Sequence, residues 1–274
     1  MNLYEETRML LNQYGLKANK RLGQNFLINN EIIEEIVEKS EITDEDTVIE
    51  IGPGLGSLTK ALLPVAKKVI VVELDPNMVD ILKNRFLEKN LEIIYGDILK
   101  VNLSEIIENE KSVKVVANLP YYITTPILMK LLEERYKLKS ITVMVQKEVG
   151  ERICSNPGTK EYGAITVATK YYSVPQKIID VPKDNFMPMP EVDSCVIKLD
   201  VLEKPSVEVE NENKFFEIVR NGFNHRRKTI SNSLSSGNIE KDKVIKVLNE
   251  LQIDEKLRAE NLSIEDFAKI SNKI

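Results

Sequence analysis

The stretch TVIEIGPGLGSLTKAL, residues 47–62, decides the fold. A short run of β-branched and apolar residues, Thr47–Ile51, leads directly into a loop with glycine at positions 52, 54 and 56, and a helical pattern follows. Glycines at such a turn let the backbone bend sharply and approach a ligand closely. The stretch therefore predicts a strand, a glycine loop and a helix that begin an α/β sheet, although a tight structural turn would also explain the loop by itself.

The same alternation of apolar runs and helical patterns continues along the chain. Further strands are predicted at Lys68–Glu73, Leu91–Tyr95, Val113–Ala117 and Ile141–Gln146, and helices at Leu58–Leu63, Asn77–Asn90 and Pro126–Glu134. The strands are nearly continuous in apolar residues, as expected when both faces of a parallel sheet are covered. Two later runs, Val174–Val181 and Val192–Val201, predict an antiparallel hairpin at the sheet edge. We therefore expect a Rossmann-like, mostly parallel sheet with an antiparallel last strand.

Beyond residue 203 the pattern becomes helical. Helices are predicted at Lys214–Phe223, Lys228–Leu234, Lys241–Leu251 and Ile264–Ile270. Pro205 and the acidic stretch EVENEN, residues 208–213, separate this part from the strands before it. We therefore expect a ligand-binding catalytic domain over residues 1–203 and a small α-helical domain over residues 204–274.

Composition excludes several classes of protein. A formal net charge of −5 argues against a globally basic nucleic-acid binder, though not against a local basic patch. His225 is the single histidine, and Cys154 and Cys195 are the two cysteines, so a zinc site and a disulfide framework are not expected. No apolar run is long enough for a membrane span, and the N-terminus lacks the features of a signal peptide. We expect a cytoplasmic, monomeric protein without metal or membrane partner.

Acidic residues end the two strands that follow the glycine loop. Glu73 lies 21 residues beyond Gly52, where a carboxylate typically binds ribose hydroxyls, and Asp97 follows the next strand. The loop spacing is G-x-G-x-G, and Glu50 before it would repel the pyrophosphate of a dinucleotide such as NAD. A ligand with a cationic end and no phosphate fits better, which points to S-adenosylmethionine. This pattern resembles the class I methyltransferase family.

The fourth strand ends in the tetrapeptide Asn118-Leu119-Pro120-Tyr121. It resembles the acceptor motif of enzymes that methylate exocyclic base amines, which are poor nucleophiles because the nitrogen lone pair is delocalised. The Asn118 side-chain oxygen and the Leu119 carbonyl can accept the amine hydrogens and favour a lone pair directed at the methyl group. Pro120 fixes the backbone, and Tyr121 offers a stacking face for a flipped base. A plain β-turn remains the alternative for the tetrapeptide in isolation.

Longer motifs make the resemblance more specific. They are KRLGQNFL (20–27), EIGPGLG (50–56), NLPYYITTPIL (118–128), VQKEVGERI (145–153), FMPMPEVDS (186–194), FNHRRKTISNSL (223–234) and RAENLS (258–263). The chain is similar over nearly its whole length to the ribosomal RNA adenine dimethyltransferase family, and most of all to its bacterial small-subunit members. The resemblance implies dimethylation of two adjacent adenosines in the 3′-terminal hairpin loop of small-subunit rRNA, on a ribosomal assembly intermediate. It also implies kasugamycin resistance when the modification is lost.

The same resemblance assigns site residues. The cofactor set is Asn25 and Leu27 at the methionine end, Gly52 and Gly54 beneath it, Glu73 at the ribose, Asp97 at the adenine, and Asn118. Phe186 would cover the other face of the target base, with a place in the hydrophobic core as the alternative. Arg226, Arg227 and Lys228 are candidate phosphate contacts, with a solvated helix face as the alternative.

Other functions stay open at this point. A large-subunit rRNA dimethyltransferase of the macrolide-resistance type is the nearest, although NLPY and RAENLS argue against it. A ribosome-assembly binding factor is a second alternative, and the intact acidic residues speak against a loss of catalysis. A methyltransferase acting on tRNA or DNA amines and an NAD-dependent oxidoreductase fit the motifs less well.

Overall fold

The computed structural model describes residues 2–134, 136–225, 227–236 and 239–274. Its strands are β1 (Phe26–Leu27), β2 (Thr47–Ile51), β3 (Lys68–Glu73), β4 (Leu91–Tyr95), β5 (Val113–Asn118), β6 (Leu138–Gln146), β7 (Ser173–Val181), β8 (Phe186–Met187) and β9 (Ser194–Val201). Within the described residues, seven of these strands form one sheet in the order β4-β3-β2-β5-β6-β9-β7, and β1 pairs with β8. The order places β2 and β5 at the centre, with a crossover between them.

The helices lie between the strands and at both ends of the chain. They are α1 (Leu3–Gln13), α2 (Asn30–Lys39), α3 (Ser57–Leu62), α4 (Pro76–Arg85), α5 (Leu103–Ile106), α6 (Thr124–Glu133), α7 (Lys147–Cys154), α8 (Ala164–Tyr172), α9 (Glu212–Asn224), α10 (Ile230–Leu234), α11 (Lys241–Glu250) and α12 (Ile264–Lys273). In the part of the chain that the structure describes, no helix is both long and apolar enough to cross a membrane.

Strand registers confirm the predicted fold class. β2 runs parallel to β3 and to β5, and β5 runs parallel to β6. β9 pairs antiparallel with β6, from Ser140 opposite Asp200 to Gln146 opposite Ser194. The central strands are buried along their length, as the apolar runs predicted. The result is a mostly parallel Rossmann-like sheet with an antiparallel strand inserted near one edge.

Several local predictions were wrong or incomplete, and α5 and α7 were among the helices not predicted. α4 ends at Arg85 instead of Asn90, because Phe86 leaves the helix in an extended conformation and packs its ring beneath the glycine loop. α1 and α2 were not predicted, although both begin at an asparagine cap: the side chains of Asn2 and Asn29 each accept a backbone hydrogen bond within the first turn. These caps were the available signal in the sequence.

The chain forms two compact units, residues 1–150 with 176–201 and residues 151–175 with 202–274. The predicted division after residue 203 places 151–175 in the first domain, whereas these residues pack within the second unit. Aromatic contacts explain why: the Tyr171 ring stacks on Phe215 with centroids 5.1 Å apart, and the Tyr172 hydroxyl lies 2.7 Å from a Glu212 carboxylate oxygen. The periodicity of this segment could not predict these contacts, because the partner residues lie about 40 positions further along the chain.

Candidate active site

A cleft of about 980 Å³, its open mouth included, lies at the carboxyl ends of β2, β3 and β5. Its lining combines residues 22–27, 52–55 and 117–122 with Glu50, Ser57, Leu58, Glu73, Leu74 and Met144, and the apolar Ile33 and Ile36. We call residues 22–27 the N-terminal strap. The strand ends and the strap belong to the first compact unit, so this unit holds the whole cleft.

The glycine loop leaves open space on the cleft side. Gly52 has φ +65°, and a Cβ placed on it would meet nothing within 4 Å. Gly54 has φ +56°, and a Cβ there would lie 3.1 Å from a ring carbon of Phe26 in the strap. The first glycine therefore leaves room for a ligand above the loop, and the second lets the strap approach the loop closely.

Glu73 ends β3 as a buried carboxylate that faces the loop. Its two oxygens accept hydrogen bonds from the backbone N–H of Gly54 at 3.0 Å and of Asp75 at 2.8 Å. Burial raises the pKa of Glu73, and these backbone donors work against that rise. Asp75 accepts in turn from the Gln24 side-chain amide at 2.9 Å, which ties the strap to the end of β3. A carboxylate held in this way is positioned to accept from further hydroxyl donors.

Glu50 is a second buried carboxyl group in the cleft wall. Burial raises its pKa to about 8; a hydrogen bond from the Thr59 hydroxyl, 2.6 Å away, opposes the rise, and the negative charge of Glu73 adds to it. When a carboxyl group is so poorly solvated, a nearby positive charge strongly stabilises its ionised form. A cation bound here would lower the pKa of Glu50 and of Glu73, so the cleft favours a cationic ligand over an anionic one even though Glu50 by itself is largely protonated at neutral pH.

Asn118 and its neighbours stand at the end of β5. The Asn118 amide nitrogen donates to the Asn25 carbonyl at 3.0 Å, so its Oδ1 is the atom that can accept from a ligand. The Pro120 carbonyl is engaged by the Ile123 N–H and the Thr124 hydroxyl. Among the residues that the structure describes, none donates a hydrogen bond to the Leu119 carbonyl. Two acceptors in this turn can therefore meet an amine.

Two consecutive tyrosines follow, and they differ. The Tyr121 hydroxyl lies 2.6 Å from the Ser194 hydroxyl, and burial raises the pKa of this half-buried phenol. Tyr122 is 59% exposed although it lines the cleft. The prediction of site residues did not include Tyr122, Gln24 or Glu50. All three lie within the motifs that carried the family resemblance, which was the signal available for them.

Four expected site residues lie at different places relative to the cleft. Asn25 and Leu27 are in its lining. Asp97 is outside the lining, at the same sheet edge, where the Gly96 N–H bonds to the Glu73 carbonyl and Asp97 Oδ1 accepts from the Leu99 N–H. Phe186 is 3% exposed and belongs to the hydrophobic core, with β8 pairing it to Leu27. Its core position was the alternative given above, and the hydrophobic cluster that holds it also includes Ile33, Ile36 and Met144 of the cleft lining.

The basic segment lies in the second unit. Arg227 and Lys228 are exposed and border, with Asn224 and His225, an open depression of the surface. Arg226 lies outside the described residues. The prediction that a helix begins at Lys228 was wrong: Thr229 is the N-cap of α10, and the Lys228 N–H bonds to the His225 carbonyl in a turn. Arg227 and Lys228 therefore belong to a connection between α9 and α10.

Comparisons with known proteins agree with the geometry. A family model described as ribosomal RNA adenine dimethylase matches residues 15–274. A relative from Clostridium botulinum (strain Okra / Type B1), ribosomal RNA small subunit methyltransferase A, is 50% identical over 269 residues, 98% of each chain. A solved dimethyladenosine transferase from Plasmodium falciparum is 32% identical, with a TM-score of 0.77 over 88% of this chain and 94% of that one. The solved 23S rRNA methyltransferase ErmE, with 23% identity, a TM-score of 0.70 and coverage of 91% and 99%, shows the fold alone.

Proposed function

The chain belongs to the ribosomal RNA adenine dimethylase family, and from this premise we propose that it dimethylates two adjacent adenosines in the 3′-terminal hairpin loop of small-subunit rRNA, with S-adenosylmethionine as methyl donor. One structural observation supports the proposed chemistry beyond the fold. The Asn118 amide, oriented by the Asn25 carbonyl, presents an acceptor in the cleft that also holds Glu50 and Glu73. An amine acceptor motif and a cation-favouring pocket thus share one cavity.

The residues of the cleft fit S-adenosylmethionine. This cofactor supplies an electrophilic methyl group on a positively charged sulfur. The open space above Gly52 accommodates a ligand against the loop, and the buried Glu50 and Glu73 favour its positive charge. Glu73 would bind the ribose, Asp97 the adenine, and Asn25 with Leu27 the methionine end. Exclusion of water by the strap would strengthen each of these polar contacts.

The acceptor motif would act by orientation and electrostatics. Asn118 Oδ1 and the Leu119 carbonyl would accept the two hydrogens of the adenine amine, which favours a more tetrahedral nitrogen and a directed lone pair. Asn118 is no base at neutral pH. The amine proton would leave after methyl transfer, when the nitrogen is cationic and acidic. Tyr121, anchored through Ser194, would hold the flipped base by stacking.

The choice of small-subunit rRNA rests on the relatives. The Clostridium botulinum protein named for the small subunit is 50% identical over 98% of this chain. ErmE, named for 23S rRNA, shares 23% identity and supports the fold without supporting its substrate here. A large-subunit enzyme and a non-catalytic assembly factor are therefore the alternatives that an experiment must separate. The protein would act in the cytoplasm as a monomer, on an assembly intermediate held by the cations at 226–228.

Methyl transfer to three substrates tests the proposal. Small-subunit particles, large-subunit particles and naked rRNA are each incubated with the protein and labelled S-adenosylmethionine, and the modified nucleotides are identified. We expect N6,N6-dimethyladenosine at two adjacent positions of the small-subunit rRNA. Labelling of large-subunit rRNA alone would support the macrolide-resistance alternative, and cofactor binding without transfer to any substrate would support an assembly factor.

A further inference from the structure

We infer that Tyr122 is a substrate-positioning residue whose exposed ring stacks on the base next to the target adenosine. The inference rests on the proposed function and adds the part of the RNA that the mouth of the cleft would recognise. It starts from a contrast between neighbours. Tyr121 has its hydroxyl bound to Ser194, whereas Tyr122 lines the same cleft with 59% of its surface exposed.

The Tyr122 ring is held in place despite its exposure. A Cβ on Gly23 would lie 3.3 Å from two of its ring carbons and 3.4 Å from the Pro120 side chain. Gly23 has φ +61°, so the strap comes this close to the ring because residue 23 is a glycine. The ring contacts the strap on one side and solvent on the other. A ring already supported by its neighbours loses little conformational entropy when a ligand covers it.

The surroundings of Tyr122 suit single-stranded RNA. Arg21 is exposed and lies two residues before Gly23, the strap residue next to the ring. An exposed aromatic ring beside cations is the combination by which proteins bind unpaired nucleotides: cations contact phosphates, and rings stack on bases. A buried-core role does not account for the exposure of Tyr122, because a tyrosine placed for packing would be covered.

The chemistry of the acceptor site creates a need for such a ring. When the target adenine enters the cleft to reach Asn118, it leaves its neighbour in the loop without a stacking partner. Tyr122 follows Asn118 by four residues and stands at the mouth of the same cleft. Stacking of the neighbouring base on this ring would replace the lost contact and keep the target extruded. The effect belongs to substrate binding, and methyl transfer itself stays with Asn118.

Kinetics on small-subunit particles test this role with four variants. Tyr122→Ala and Tyr122→Leu remove the ring, Tyr122→Phe keeps it, and Tyr4→Ala removes another exposed tyrosine, on α1, outside the cleft lining. We expect Tyr122→Ala and Tyr122→Leu to raise KM for the particles roughly 5- to 100-fold, the range that stacking of one base supplies. Tyr122→Phe and Tyr4→Ala should keep the wild-type KM, and all four should bind S-adenosylmethionine as the wild type does.

A hairpin RNA with an abasic nucleotide beside the target adenosine provides the second measurement. Loss of that base should weaken RNA binding by the wild-type protein but not by Tyr122→Ala. The effects of removing the base and of removing the ring on RNA affinity should therefore not add. Additive losses, or equal effects of Tyr122→Phe and Tyr122→Ala, would overturn the stacking role. If the wild-type protein failed to methylate the particles, the proposed function and this inference would both be refuted. Normal methylation by wild type and Tyr122→Ala alike would refute this inference and leave the proposed function standing.

Discussion

The Asn118 side-chain amide nitrogen donates a hydrogen bond to the Asn25 backbone carbonyl across 3.0 Å. The two residues are 93 positions apart in the chain, and the bond joins the end of β5 to the N-terminal strap. A flipped amide would lose this bond, so the bond favours the orientation in which Oδ1 is available as an acceptor in the cleft. The strap thus determines which atom of Asn118 faces a substrate amine.

Removal of the Asn118 side chain should reduce the rate of methyl transfer much more than it weakens cofactor binding. We expect Asn118→Ala to fold normally and to reduce methyl transfer by on the order of 10² or more, as when one preorganised hydrogen-bond partner is lost. Asn118→Asp keeps an acceptor but replaces the donor that faces the Asn25 carbonyl, so it too should lose activity. Single-turnover methylation of small-subunit particles at saturating cofactor measures both variants. Wild-type turnover by Asn118→Ala would exclude the proposed role.

Glu73 should matter for cofactor affinity. Its carboxylate accepts from the N–H groups of Gly54 and Asp75 in a buried position, so truncation leaves these donors without their partner. We expect Glu73→Ala to weaken S-adenosylmethionine binding by about 1–3 kcal/mol. Calorimetric titration measures the change, and circular dichroism verifies the fold. Glu92→Ala, at an exposed position of the adjacent β4, is the control for loss of a carboxylate, and an equal effect of both variants would contradict the assignment.

Glu50 should make the protein less stable as pH rises. Its pKa is about 8 in the folded protein, against an ordinary value of 4.5, so between these values the folded state retains a proton that the unfolded chain has released. Stability therefore falls as pH rises through this window and levels off above it. Glu50→Gln mimics the protonated form, so its advantage over wild type should grow from pH 5 to pH 9, by up to a few kcal/mol at about 1.4 kcal/mol per pKa unit.

Urea unfolding at pH 5, 7 and 9 measures that advantage. Glu45→Gln removes an exposed carboxyl group from the loop before β2 and serves as the matched control. A constant difference between Glu50→Gln and wild type across the three pH values would mean that Glu50 is ionised throughout, and the explanation from burial would be wrong.

The basic segment should contribute RNA affinity through its charge. Replacement of Arg226, Arg227 and Lys228 by alanine should weaken binding of substrate RNA and reduce the slope of log K against log[salt] by up to roughly 2–3 units, because each phosphate contact releases counterions. Cofactor affinity should not change, since Arg227 and Lys228 do not line the cleft. Filter binding at several salt concentrations measures both quantities. If the plots of log K against log[salt] had the same slope and intercept for variant and wild type, these residues would form a solvated turn that does not contact RNA.

Local sequence predicted the strands well and some helix limits poorly. β2, β3 and β4 have the predicted bounds. For β2 and β3 the reason is that a strand buried on both faces needs an unbroken apolar run, and such a run is visible in the sequence. β4 is a partly exposed edge strand and is delimited by its apolar residues all the same. The end of α4 could not be predicted in the same way, since Phe86 leaves the helix for a core position beneath Gly56. The same holds for residues 151–175, whose tyrosines pack against phenylalanines beyond residue 210.

The sequence by itself determined the fold class and the family, because glycine spacing, apolar periodicity and the NLPY tetrapeptide are local features that constrain the backbone directly. It also indicated which residues could serve a cofactor and an amine. Tertiary structure alone decided how these groups are oriented. Gln24 binds Asp75 across 51 positions, Tyr121 binds Ser194 across 73, and Asn118 binds Asn25 across 93. A hydrogen bond depends on distance and angle in space, and pairs so far apart in the chain acquire these only when the sheet and the strap have come together.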